Sequence, residues 1–150
     1  MSKLEVDTID TKTGTNSLTL KQNNTDALII DTSQNLKFNS GYGSVATSYG
    51  VRAWVNYDGR VSVGIRDSGN VSSVTSNGTG DYTINFTNAM PDTNYSIASA
   101  NASYLLSTTD YRWFSFVKSV STSSFRVQTN VVQNGASVTD SEYVNHVVFR

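Results

Sequence analysis

Apolar and polar residues alternate one for one over short stretches of this chain, and that period constrains the fold more than any other feature. Tyr82, Ile84 and Phe86 share one face of such a stretch, Phe125, Val127, Thr129 and Val131 one face of another, and Val61, Val63 and Ile65 one face of a third. A period of two sends successive side chains to opposite sides of an extended backbone, so each stretch reads as a β-strand with one face buried. From Val51 onward such strands recur at Val51–Tyr57, Arg60–Arg66, Asn70–Thr75, Asp81–Thr87, Asn94–Ala100, Tyr111–Ser119, Ser124–Val131 and Tyr143–Phe149. Turn residues stand between them. Asp58-Gly59 fits a two-residue type I′ hairpin, Asn77-Gly78 falls inside a slightly longer one, and Ala89-Met90-Pro91-Asp92 carries the only proline. No long segment shows helical periodicity. The expected fold is all-β, with an antiparallel β-sandwich or a barrel-like sheet over residues 46–150.

Residues 1–45 read differently. Apolar pairs two apart occur at Leu4/Val6, Leu18/Leu20, Leu28/Ile30 and Leu36/Phe38, separated by polar turns such as Lys21-Gln22-Asn23-Asn24-Thr25-Asp26. Strands this short bury too little apolar surface to offset the entropy of ordering them. Three copies wound about one axis remove that difficulty, because each strand then covers a neighbour's apolar face. Leu4, Val6, Leu18, Leu20, Leu28, Ile30, Leu36 and Phe38 are therefore the candidate trimer-packing residues of a fibre-like or collar-like attachment segment. The plainer alternatives are a flexible tail, or strands added to the edge of the main domain. Ser40-Gly41-Tyr42-Gly43-Ser44 reads as the junction.

Charged residues make up only 15% of the chain, against about 25% in ordinary soluble domains. Small polar residues take their place, with 22 Ser, 18 Thr and 15 Asn. Eight Tyr, six Phe and two Trp supply the apolar area that a disordered chain lacks. A net charge of −1 with scattered signs gives no electrostatic footprint for nucleic acid. No apolar run approaches the ~18 residues of a membrane span. The opening MSKLEVDTID holds no apolar core of a signal peptide, so its Asn-x-Ser/Thr triplets are expected to stay unglycosylated. Cysteine is absent, which removes disulfides and thiolate chemistry together.

Catalysis needs a constellation of groups, and the sequence offers none. His146 is the single histidine and alternates with Val144 and Val148, as a structural residue would. Asp58, Asp67, Asp81, Asp92, Asp110 and Asp140 mostly fall in predicted turns, where a carboxylate bonds its own backbone. No metal or cofactor motif is present, and a non-enzymatic protein without cofactor is expected. Aromatic residues give the only recognition signal. Tyr104, Tyr111 and Trp113 cluster beside Asp110 and Arg112, the mixture of rings and polar groups that stacks on and hydrogen-bonds to sugars. The competing reading makes Trp113, Phe114 and Phe116 core residues of a long strand.

Two stretches carry a family resemblance. One is Arg52-Ala53-Trp54-Val55-Asn56-Tyr57-Asp58-Gly59; the other runs from Val61 through Asn70-Val71-Ser72-Ser73 and Asn77-Gly78-Thr79-Gly80-Asp81-Tyr82 to Ala89-Met90-Pro91-Asp92-Thr93-Asn94-Tyr95. Together with the closing Val144–Arg150 they resemble the C-terminal domain of tail-fibre-like structural proteins of cyanophages and other marine bacteriophages. Residues 98–139 lie outside the resemblance. It implies a virion structural protein, a fibre-type subunit of tail, baseplate or neck, folded and assembled in the host cytoplasm. Taken with the apolar pairs of residues 1–45 and the aromatic cluster at Tyr104–Trp113, the expectation is a homotrimer joined to other virion proteins through its N-terminal segment, with host-surface glycan as a further candidate partner. A capsid decoration or cement protein and a carbohydrate-binding module are the alternatives.

Overall fold

The computed structural model describes residues 17–39, 45–60, 62–102, 112–132 and 136–150. Among them are thirteen β-strands and no helix, and the chain divides into two units, Met1–Tyr49 and Gly50–Arg150.

In the first unit, β1 (Leu18–Gln22), β2 (Thr25–Ile30), β3 (Leu36–Phe38) and β4 (Ala46–Thr47) form one antiparallel sheet in chain order. Its first turn is Asn23-Asn24, with φ of 49° and 60°. Two successive positive φ values make a type I′ turn, which asparagine tolerates better than other residues with a Cβ. The second turn is closed by Asp31, whose Oδ1 accepts the backbone N–H groups of Ser33 and Asn35 at 2.9 Å. A 2.9 Å ion pair with Lys37 joins them and holds the Asp31 carboxyl well below the usual carboxylate range. The expected boundary after residue 45 moves to Tyr49/Gly50, because Ala46 and Thr47 pair with Phe38 and Lys37 and so belong to this sheet.

The second unit is a sandwich of two open antiparallel sheets, not a barrel. It contains β5 (Val51–Asp58), β6 (Gly64–Gly69), β7 (Val71–Gly78), β8 (Asp81–Phe86), β9 (Ser96–Ala102), β10 (Arg112–Val120), β11 (Ser124–Val132), β12 (Ala136–Val138) and β13 (Tyr143–Phe149). One sheet runs β10-β11-β8-β7 with β12 on β11, and the other β6-β5-β13-β9. Alternation works as expected in the central strands: Tyr82, Ile84 and Phe86 of β8 and Phe125, Val127 and Thr129 of β11 are buried. They meet Ala53, Val55 and Tyr57 of β5 and Val144 and Val148 of β13 across the sandwich. The Tyr57 and Tyr82 rings stack edge-on at 5.3 Å between centroids, and Phe86 and Tyr95 at 5.7 Å. Such pairs add about 0.5–1.5 kcal/mol each to the burial itself.

Four local expectations are corrected. Asp58-Gly59 forms no I′ hairpin, since Gly59 takes no positive φ and β6 begins only at Gly64. Gly59 is instead buried, packed against the Tyr82 hydroxyl and donating to Ser141 O at 2.9 Å, so its lack of a side chain serves a close approach. The strand expected over Arg60–Arg66 is thereby displaced to Gly64–Gly69, with Val61 outside the described residues. The β7–β8 hairpin turns at Thr79-Gly80, where Gly80 has φ 64°, one step beyond Asn77-Gly78. Strand β12 had no signal, being three residues long.

Candidate assembly face

The first unit brings together six of the residues singled out for trimer packing. Leu18 lies opposite Ile30, and Ile30 opposite Leu36; Leu20 lies opposite Leu28, Leu28 opposite Phe38, and Phe38 opposite Ala46. Partners directly across a sheet share a face, so these seven side chains form two apolar rows on one side of four strands. Thr19, Ile29, Lys37 and Thr47 form a row of the opposite face. Leu4 and Val6 lie outside the described residues.

No second layer lies over the apolar rows among the described residues of this unit. Leu20 is 52% exposed, Ile30 40%, Leu36 44% and Phe38 43%. A sheet with one apolar face is stable only when another layer covers that face. Fully burying a residue of this type stabilises by about 1.5–3 kcal/mol, so covering the exposed half of these four is worth ~3–5 kcal/mol per chain. The electrostatics suit the geometry. Among the described residues of the unit the charged side chains pair with one another, Lys21 with Asp26 at 3.0 Å and Lys37 with Asp31 at 2.9 Å, and both rows are uncharged. An open depression of about 400 Å³ beside the first turn is lined by Gln22, Asn23, Thr25, Asp26, Ala27 and Asn39, of which Ala27 alone is apolar.

The candidate glycan residues fare differently. Tyr104, Asp110 and Tyr111 lie outside the described residues, and Arg112 opens β10 opposite Val132. Trp113 is half-buried and lies opposite Val131, on the side of β10 that Val117 shares with buried Val127 of β11. Phe114 and Phe116 are not core residues: they are 38% and 45% exposed on the other side of β10. They point away from the core on a strand at the sheet edge, and among the described residues no element covers that side.

Of the groups weighed for catalysis, Asp110 lies outside the described residues, and His146, Asp58, Asp81 and Asp140 are engaged in structure. His146 is fully buried, with Nδ1 2.8 Å from Ser99 Oγ and Nε2 3.5 Å from Tyr57 Oη. Burial pushes its pKa down to about 4, so it is neutral in the fold near pH 7. Asp81 is held by Arg126 and by Lys118, each at 2.6 Å, and Asp58 by Arg60 and Arg66; these cations keep both carboxyls below their ordinary pKa. Asp140 Oδ1 accepts from Gly80 N at 2.6 Å and lies 2.5 Å from Tyr82 Oη, fixing the turn before β8. Among the described residues no three metal-ligating side chains come together.

No family model, curated protein or solved structure matches this chain. Its own geometry therefore carries the functional argument, and the dominant feature of that geometry is an uncovered apolar sheet face.

Proposed function

We propose that this protein is a structural subunit of a bacteriophage particle, a fibre-type chain of tail, baseplate or neck that works as a homotrimer. The observation that carries the proposal is the pair of apolar rows on the N-terminal sheet. Three copies of a one-layer sheet, each turned inward, give every copy the second layer it lacks. The motif around Trp54 and Tyr82 supports the phage origin through its resemblance to fibre domains. In this reading the N-terminal segment assembles the trimer and joins it to other virion proteins, and the sandwich is the part presented outward.

Light scattering on the eluting full-length chain tests the assembly. Three chains of 16.3 kDa give a particle of about 49 kDa, and a stable 16.3 kDa species overturns the trimer. Antibody labelling of intact particles tests the placement. Label confined to a tail or neck appendage is the expected result, whereas dense label over the head turns the reading to a capsid decoration protein.

A further inference from the structure

The outer faces of the two sandwich sheets differ in kind. On the β10-β11-β8-β7 sheet, Asn85 Nδ2 donates to Ser73 Oγ at 3.0 Å and Thr75 Oγ1 at 3.1 Å, and Asn77 Nδ2 to Thr83 Oγ1 at 2.9 Å. With the Asp81–Arg126 and Asp81–Lys118 pairs, this is a polar lattice over β11, β8 and β7, and exposed Phe114 and Phe116 stand beside it on edge strand β10. The β6-β5-β13-β9 sheet is the reverse. Across β5, β13 and β9 its outer rows read Val51, Phe149, Ser96, then Trp54, Val147, Ala98, then Asn56, Asn145, Ala100, with Tyr143 beside Ala102 at the end. Trp54, Tyr143 and Phe149 are 38%, 39% and 38% exposed, Val51 is 54% exposed, and the three alanines are exposed as well. Gly69 lies so close under the Trp54 indole that a Cβ there would collide with it.

The one polar row on this face satisfies itself. Asn56 Nδ2 donates to Asn145 Oδ1 at 2.5 Å, and Asn145 Nδ2 to Ala100 O at 3.2 Å. When the face is covered each Nδ2 keeps one hydrogen bond within it, which lowers the cost of burying the row. We propose that this face lies against the threefold axis of the homotrimer, covered by the same face of two further copies of the chain. The inference rests on the homotrimer reading and adds a second contact surface to it.

Area and charge favour a copy of the same chain. Three rings of ~150–250 Å² at those exposures leave ~200–280 Å² uncovered. The valines and alanines bring the apolar patch to about 400–500 Å², a size that marks interaction surfaces on monomers. A standard interface takes ~800 Å² from each partner, a little over half of it apolar, and so ~450 Å². The patch matches that share for one pairwise contact, and in a trimer it is divided between two neighbours. Near a rotation axis each residue meets its own copies, so like charges there would repel. Across β5, β13 and β9 the four rows contain no Asp, Glu, Lys or Arg; charge enters this face at its β6 edge, where exposed Asp67 lies opposite Asn56, and where Arg66 pairs with Asp58 at 3.0 Å and lies 4.4 Å from the Tyr143 ring centroid.

Because the chain has no cysteine, single thiols can be placed in the full-length protein. Ala100→Cys should give covalent dimers on oxidation, whereas Thr75→Cys, on the polar outer face, should give none. Ala98→Arg should lower the mass measured by light scattering while the far-ultraviolet circular dichroism stays unchanged; if that variant unfolds, the cross-link alone decides. A chain that remains trimeric but cross-links no better at Ala100→Cys than at Thr75→Cys overturns this inference and leaves the homotrimer standing. A monomeric wild-type chain overturns both.

Discussion

Asn70 holds a corner of the sandwich that few other residues would fit. It stands alone between β6, in one sheet, and β7, in the other, with φ of 55°. Its Nδ2 donates to Arg52 O and Asn88 O, both at 3.1 Å, and its Oδ1 accepts from Asn88 N at 2.8 Å. Asn70→Ala loses these bonds and adds a left-handed penalty of ~1–2 kcal/mol, for a total of about 2–3 kcal/mol measured by urea unfolding. Asn70→Gly keeps the conformation without penalty and should cost less than Asn70→Ala; equal losses would show that conformation contributes nothing there. His146 gives a second test at this scale. Its pKa is about 4 in the fold against 6.5 in the unfolded chain. The unfolded state therefore binds the proton first, stability is full above pH 6.5, and it declines as pH falls towards 4. The loss attributable to this side chain is about 3 kcal/mol at the acid end, to order of magnitude. His146→Gln should flatten that part of the stability–pH curve, whatever it does at pH 7.

At the level of elements, the N-terminal sheet stands or falls by its apolar rows. Leu36→Glu places a charge between Ile30 and the uncovered surface, and should reduce the mass seen by light scattering to that of one chain. Thr19→Glu, on the opposite face, should leave the mass unchanged. These rows were legible in the sequence because each member is one of an apolar pair two residues apart, and the pairs survive any choice of turn. Turn geometry was less legible. Asp-Gly is the stronger hairpin dipeptide, yet the I′ turn formed at Asn23-Asn24, because Gly59 was needed under the Tyr82 ring and Asp58 was drawn into ion pairs with Arg60 and Arg66. The exposure of Phe114 and Phe116 was hidden for a different reason. Their alternation with Ser115 and Val117 is the same for a central strand as for an edge strand, and only the strand order separates the two. The outer face around Trp54 had only a partial signal. Alternation assigned Val144 and Val148 inward, but nothing in one strand shows that Ala98 and Ala100 will lie beside Val147 and Asn145.

For the whole molecule, assembly and stability are one quantity. An interface that covers otherwise uncovered apolar faces makes the melting temperature rise with chain concentration, since only the folded state associates. Calorimetry over a hundredfold range of concentration should show that rise, and a concentration-independent transition would count against assembly through either face. The order of strands adds a consequence about time. The sheet β6-β5-β13-β9 is closed by β13, whose two edges pair with β5 on one side and β9 on the other. Until Phe149 has been synthesised, β5 and β9 have no neighbour between them, and the core lacks Val144, His146 and Val148. Contacts so far apart in sequence form slowly and late. The sandwich therefore cannot close until β13 has been made, and copies that meet through this sheet do so only after that strand is in place.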